Sequence, residues 1–244
     1  MEKVYARPDT LSARASGFCP GCFHSTVHKL IAEVLEEMGL VEKAVHVIGI
    51  GCCGLGGGYI DLDSVGCAHG RACAAATGIK RCEPDKLVFT YQGDGDLAAI
   101  GLAETMSAAN RGENFSVIFV NNGTYGMTGG QMAPTTLIGQ KATTAPFGRD
   151  ASQHGYPLHM CELLSDLAAP AYLARVTCTT PANVIKTKAA IKKAFESQMA
   201  GKGFSLVEIV SNCPTNWGMS PLETINYMNE YTLKEFPLGE FRAK

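Results

Sequence analysis

Two polar clusters carry the densest chemistry in the sequence. Gly93-Asp94-Gly95-Asp96 follows the short apolar run Leu87–Tyr91, and Asn121-Asn122 follows Phe115–Val120. Both runs are too short for helices and rich in strand formers. Between them, about Asp96 to Asn110 reads as a helix with Leu97, Ile100, Leu102 and Ala103 on its apolar face, stopped by Arg111-Gly112. One helix plus one strand returns the chain to the edge it left. Both clusters are therefore expected at the carboxyl ends of adjacent parallel strands, where open α/β sheets bind ligands. Asp94 offers a hard anionic oxygen and Asn122 a neutral one, as Mg²⁺ prefers. Amides at the helix start near Asp96 suit phosphate oxygens. The chemistry implied is a metal-bridged diphosphate. Gly-Asp-Gly alone is a common turn and Asn-Asn a common lead into glycine, so the weight lies in their pairing at this spacing.

Cysteines form the second constellation. Cys19-Pro20-Gly21-Cys22 sets two sulfurs on one turn. Cys52 follows the strand expected over Val45–Ile50, in the glycine-dense stretch Gly51–Gly58. Cys213 follows the strand expected over Phe204–Val210. Glycine at such density means close backbone approach or a sharp turn. Four thiolates leaving strand ends could hold a [4Fe–4S] cluster or a tetrahedral zinc. A thioredoxin-type dithiol needs a strand before the C-x-x-C, and none is evident. Cys67, Cys73, Cys82, Cys161 and Cys178 lack ligand spacing and read as small buried apolar side chains.

Gly93-Asp94-Gly95 with Asn121-Asn122 resembles the thiamine diphosphate motif, and Tyr125-Gly126-Met127-Thr128-Gly129-Gly130-Gln131 is similar to the β subunits of 2-oxoacid:ferredoxin oxidoreductases. The resemblance extends over nearly the whole chain. It implies a thiamine diphosphate-binding fold with Mg²⁺ held by Asp94, Asn122 and the carbonyl of Thr124. Ile50, Gly51, Cys52, Cys53, His69, Gly95, Asp96, Gly126 and Met127 are the implied cofactor contacts, with Asp94 and Asn122 among them. It favours a [4Fe–4S] cluster over zinc, on Cys19, Cys22, Cys52 and Cys213. Cys53 is the ambiguous neighbour of Cys52. Phe23 stands where many relatives have glycine, a departure that bears on cluster exposure. The implied activity is oxidative decarboxylation of a 2-oxo acid to acyl-CoA and CO2, with electrons passing through the cluster to ferredoxin. Coenzyme A is the implied co-substrate. The stretch Tyr125–Thr136 looks most like the 2-oxoisovalerate (branched-chain) enzymes, with 2-oxoglutarate and pyruvate as the alternatives. No carboxylate here suits activation of the aminopyrimidine; the family carries it on an α subunit, so activity is expected only with α and further γ/δ subunits. His69 is a possible catalytic contributor. A cluster-free thiamine decarboxylase or synthase, and a non-catalytic zinc or electron-transfer subunit, are the competing classes.

The scaffold that must position these residues reads as α/β, a mostly parallel sheet flanked by helices. With 244 residues and 46% hydrophobic content, one domain over 1–244 suffices. It has an N-terminal arm over 1–18 and a polar tail over 219–244 expected to pack on a partner. Net charge is −2, which leaves no electrostatic footprint for nucleic acid. No apolar run is long enough to span a membrane. MEKVYARPDT has no apolar signal region, so a cytoplasmic location is expected. Ser25 is expected to cap a first helix whose stripe is Val27, Leu30, Ile31, Val34, Leu35 and Met38, leaving His28 and Glu33 toward solvent. Gly66–Ala72 opens a further helix with His69 and Arg71 at its start; Arg71 suits either a phosphate or a surface carboxylate. Residues 123–160 read as the lip of the site, where Lys141 and Arg149 are singly solvated charges and jointly a lure for anionic substrate or coenzyme A. Cys161–Ala169 reads as a short helix and Tyr172–Thr177 as a strand. Thr180-Pro181 starts the last long helix, with Val184, Ile185, Ala189, Ile191, Phe195 and Met199 mostly inward.

Overall fold

The structure, a computed structural model, describes residues 5–244; the first four residues of the expected arm lie outside them. In chain order the strands are β1 (Ala44–Ile48), β2 (Asp63–Gly66), β3 (Leu87–Gly93), β4 (Ser116–Asn121), β5 (Thr124–Tyr125), β6 (Gln131–Met132), β7 (Tyr172–Thr177), β8 (Ser205–Val210) and β9 (Gly239–Ala243). The helices are α1 (Phe23–Glu37), α2 (Ala72–Cys82), α3 (Leu102–Arg111), α4 (Ala151–His154), α5 (Met160–Ser165), α6 (Pro181–Met199), α7 (Pro214–Trp217), α8 (Pro221–Tyr227) and α9 (Leu233–Glu235). Seven strands form one sheet in the order β2-β1-β3-β4-β8-β7-β9. All of its pairings are parallel except β7 with β9. The expected mostly parallel α/β sheet is thus the one observed.

Alternation along the strands divides the core. Phe89, Tyr91, Ile118, Val120, Val207 and Ile209 face α1 and α6. Val88, Val117, Phe119 and Leu206 face α2, α3 and α5. A sheet buried on both faces needs apolar residues at nearly every position, which is why these strands read as continuous apolar runs. On the second face, small residues at Ala72, Cys73, Ala76, Ala108 and Ala109 let the helices close on the sheet.

Several sequence expectations need correction. The strand expected to start at Phe115 starts one residue later, and α1 starts at Phe23 with Cys22 rather than Ser25 at its N-cap. His28 is fully buried because its ring packs on the sheet, with its centroid 4.2 Å from that of Tyr91 and 6.2 Å from that of His46, and Phe18 of the arm covers it at 5.0 Å. Gly51–Gly58 is no loose loop; Cys52–Gly58 winds as a 3-10 helix. The helix expected from Asp96 is broken at Gly101 into a π-helical turn, Gly95–Ile100, and α3. Ile100 is consequently exposed. Ile185 and Met199 on α6 are also exposed, and its buried face is Thr187, Ala190, Ile191, Ala194 and Phe195. Of the five cysteines without ligand spacing, Cys82 is exposed and Cys67 half-buried, and Cys73, Cys161 and Cys178 are core thiols. Phe204–Val210 is not the last strand. Residues 219–244 carry a capping-box helix, α8, three fully buried side chains, Thr224, Met228 and Phe236, and the edge strand β9. They fold onto this chain's own core. Arg149 is 5% exposed and donates to the carbonyls of Pro134, Thr136, His154, Gly155 and Tyr156. It is an internal strut that rigidifies the 133–157 segment, not a charge offered to substrate; Lys141 is exposed. None of the helices among the described residues is long and apolar enough to cross a membrane.

Candidate active site

Chain direction reverses across β1: β2 lies on one side and β3 on the other. The crevice outside such a switch point is where open sheets bind ligands. Here it receives Ile50–Cys53 after β1, Gly93–Asp96 after β3 and Asn122–Thr128 after β4, which line one cavity of about 100 Å³. Larger hollows, of about 360 and 310 Å³ between α6 and the β7–β9 edge and about 670 Å³ under the N-terminal arm, lie elsewhere. None of them gathers a candidate site residue.

Asp94 is 2% exposed. One carboxylate oxygen accepts from the amide of Gly95 at 2.9 Å and the other from the Thr135 hydroxyl at 2.8 Å. Burial still lifts its carboxyl to about 6, against the lowering of those bonds and of the Gly123 and Asn122 amides. A carboxylate so buried, with no basic side chain beside it, is short of a compensating positive charge. Asn122, 6% exposed, accepts from the Thr124 amide at 3.2 Å. A hard cation fits this donor set, which combines one carboxylate with neutral oxygens.

Asp96 behaves differently. Its oxygens accept from the amides of Ile50 at 3.1 Å and Gly70 at 2.8 Å and from Gln92 Nε2 at 2.6 Å. It ties the β1 loop and the start of α2 to the end of β3. His69 Nδ1 lies 2.7 Å from the same carboxylate but is misaligned for a hydrogen bond, so the ring is held by proximity and remains a polar wall of the cavity. Arg71 pairs with Glu104 at 2.9 Å, the surface-carboxylate alternative. An added Cβ at Gly95 would stand 2.2 Å from the Tyr125 ring, so glycine is what lets that ring close over the turn.

Behind this cavity lies a second, of about 70 Å³, lined by Cys19, Cys22, Cys52 and Cys213. The C-x-x-C turn is closed by the Cys22 amide on the Cys19 carbonyl at 3.1 Å, with Gly21 at φ 76°. Proline then glycine at its centre is the composition a type II turn requires. Asn212 fastens it to the end of β8: its side-chain amide donates to the Gly21 carbonyl at 3.0 Å, and its oxygen accepts from the Phe23 amide at 3.3 Å. Cys213 follows directly. Cys52 and Cys213 flank Gly126, where an added Cβ would sit 3.0 Å and 3.7 Å from their sulfurs. Burial pushes the Cys22 thiol up to about 12, opposed by the His24 amide and reinforced by Cys213, Cys52 and Cys19. Burial and the same neighbours push Cys52 to about 11. Crowded, desolvated sulfurs of this kind are stable as thiolates only around a multivalent cationic centre. No three His, Cys, Asp or Glu side chains among the described residues converge tightly enough for a single ion. Cys53 is 1% exposed and faces the first cavity instead. Phe23 is 7% exposed in the core and does not line the thiol cavity.

His24, Cys52, Asn122 and Gly126 line both cavities. Thr135, Asn212, Tyr125 and His24 were not singled out from sequence. The first two act through hydrogen bonds to residues far along the chain, which no local spacing encodes. Tyr125 stood inside a recognised motif and could have been weighed.

The family of thiamine pyrophosphate enzymes, C-terminal TPP binding domain, matches residues 49–209. The ketoisovalerate oxidoreductase subunit VorA of Methanothermobacter thermautotrophicus is 48% identical over 100% of this chain and 53% of its own length. The 2-oxoglutarate synthase subunit KorB of Methanocaldococcus jannaschii is 38% identical over 88% of this chain and 78% of its own. This chain spans about half the length of the ketoisovalerate relatives it matches. A solved 2-oxoglutarate:ferredoxin oxidoreductase from Magnetococcus marinus shares the fold, with a TM-score of 0.81 at 24% identity, over 99% of this chain and 86% of that one. The chain belongs to the thiamine pyrophosphate enzyme family, among the β-type subunits of the 2-oxoacid:ferredoxin oxidoreductases.

Proposed function

We propose that this chain is the coenzyme-binding subunit of a 2-oxoacid:ferredoxin oxidoreductase that converts a 2-oxo acid and coenzyme A to acyl-CoA and CO2. The observation that carries the reading is the shared wall: four residues separate a diphosphate-type pocket from a four-thiol cavity. Thiamine diphosphate, when bound, supplies the carbanion chemistry that 2-oxo acid decarboxylation needs. Asp94, Asn122 and the Thr124 carbonyl hold its Mg²⁺. Ile50, Gly51, Cys53, Gly95, Gly126 and Met127 form the walls of its pocket, with His69 as a polar contact. Asp96 positions the loops through three hydrogen bonds, and its Oδ2, which accepts only from Gln92, keeps acceptor capacity for a cofactor contact.

Cys19, Cys22, Cys52 and Cys213 hold a [4Fe–4S] cluster in this reading. Four thiols around one cavity suit a cluster and zinc alike. Proximity to the coenzyme pocket gives a cluster a purpose that redox-silent zinc lacks. Ferredoxin is the proposed acceptor of its electrons and the cytoplasm the proposed location. Cys19, Cys22 and Cys213 lie outside the stretch that the family match covers, so the cluster rests on geometry and donor chemistry.

The pocket is about 100 Å³, whereas small-molecule sites run about 300–1,000 Å³. The relatives are named as subunits of larger oxidoreductases, which supports a second polypeptide completing it. The two carboxylates in the cavity, Asp94 and Asp96, are both engaged within this chain, so the carboxylate that activates the aminopyrimidine is assigned to an α-type partner, with γ/δ-type subunits completing the complex. The substrate proposed first is 2-oxoisovalerate or a related branched-chain acid, from the 48% identity to the ketoisovalerate subunit; 2-oxoglutarate is second, from the KorB relatives. The test is coenzyme A-dependent reduction of a viologen dye by the assembled complex across a panel of 2-oxo acids. Fastest turnover on branched-chain acids is expected. Preference for 2-oxoglutarate would overturn the substrate, and no 2-oxo-acid-dependent reduction would overturn the function.

A further inference from the structure

One buried residue faces both cavities and has no role in the assignments above. His24 is 2% exposed, stands two positions after Cys22, and lines the coenzyme pocket and the thiol cavity alike. Its ring stacks on Phe18, at a centroid distance of 5.1 Å and 13° between planes. On the core side, Nδ1 lies 2.7 Å from the Tyr91 hydroxyl. Tyr91 is fully buried on β3, and its hydroxyl has no other partner among the side-chain hydrogen bonds.

That geometry fixes the tautomer. A buried hydroxyl left without an acceptor costs about 1–3 kcal/mol. The Tyr91 O–H therefore donates and His24 Nδ1 accepts. A neutral imidazole carries one N–H, so the proton sits on Nε2, at the ring edge away from Tyr91. Stacking on Phe18 and packing in the wall leave the ring no freedom to turn over. The chain thus builds a fixed N–H donor into the partition between the two cavities, beside a side-chain donor already on a thiol there, Asn216 Nδ2 at 3.2 Å from Cys213 Sγ.

We infer that His24, locked by Tyr91, is a positioning residue that sets the reduction potential of the cluster by directing its Nε2–H toward the sulfur-lined cavity. Resting on the cluster reading of the four thiols, the inference concerns a property of that site which neither the motif nor the relatives assign. Hydrogen bonds to cluster sulfurs are one of the levers on potential. They stabilise the more negative, reduced state, so losing the donor lowers the potential.

The experiment is an EPR-monitored redox titration of the whole complex, purified without oxygen, as wild type and as His24→Phe, His24→Gln and Tyr91→Phe. Phenylalanine keeps the stack on Phe18 and removes the donor. Its cluster is expected to be about tenfold harder to reduce, a drop of ~59 mV for a one-electron couple. Glutamine, whose amide reaches about as far as Nε2, should restore most of the shift. Tyr91→Phe leaves the cavity untouched but frees the tautomer, and should shift the potential the same way by less. A purely structural His24 would lower occupancy without this ordering. Wild-type potential in iron-replete His24→Phe overturns the inference. If that variant loses its iron, Tyr91→Phe decides, and an unchanged potential there overturns it. A wild-type complex without iron and acid-labile sulfide would instead overturn the cluster reading itself.

Discussion

Arg175→Met is expected to destabilise the protein by about 3–5 kcal/mol, the usual consequence of breaking a buried ion pair from one side. Arg175 and Glu208 are both fully buried, and Arg175 Nε donates to Glu208 at 2.9 Å. Glu208 also accepts from Asn121 Nδ2 at 2.8 Å, and Arg175 reaches Glu162 and the Pro237 carbonyl. The network fastens the C-terminal segment to β7 and β8 and ends beside Asn122. Methionine would fill the space left by the guanidinium stem, so the loss comes from stranding the Glu208 charge. The double variant Arg175→Met/Glu208→Leu should recover much of it, because the uncompensated charge is then gone. Denaturant unfolding of the three proteins checks this. A single variant as stable as wild type would mean that Glu208 folds protonated or finds another partner.

Asp94→Ala should weaken Mg²⁺-dependent thiamine diphosphate binding at least about 100-fold in the assembled complex. Loss of an outer partner of a metal ligand already costs about 10–100-fold, and Asp94 is the one carboxylate in the proposed Mg²⁺ set. Its oxygens are already aimed by Gly95 and Thr135, so nothing else has to reorganise when the ion binds. The substitution removes a desolvated carboxylate but leaves the Gly95 amide and the Thr135 hydroxyl without their acceptor, so the two effects on stability oppose each other. Titration calorimetry of the cofactor-stripped complex reads the affinity directly. Tight binding retained by the variant would remove Asp94 from the site.

The central β-α-β unit was legible because its chemistry and its periodicity coincide: apolar runs mark β3 and β4, and polar residues sit where each run ends. The cysteines were legible for the same reason, each following a strand or a turn. What stayed hidden was encoded by tertiary contact. His28 reads as off the apolar stripe of α1, yet its ring packs against Tyr91 and His46 of the sheet. Arg149 reads as a surface charge because sequence cannot display five backbone carbonyls converging from residues 134–156. β2 and β9 were missed because edge strands need no apolar alternation; every residue of Asp63–Gly66 is exposed. The π-turn at Gly95–Ile100 keeps the local composition of a helix, and only the close approach of Gly70 to Gly101 reveals why the backbone departs from one: an added Cβ at Gly70 would meet the Gly101 amide at 2.6 Å. Irregular turns of this kind concentrate at functional sites.

The most direct measurement is the cofactor content of the complex purified without oxygen: iron, acid-labile sulfide, zinc, magnesium and extracted thiamine diphosphate, each per copy of this chain. A brown protein with about four irons and about one thiamine diphosphate assigned to this subunit is the predicted result. Zinc in place of iron, or a colourless protein carrying thiamine diphosphate alone, would contradict the paired-cavity account.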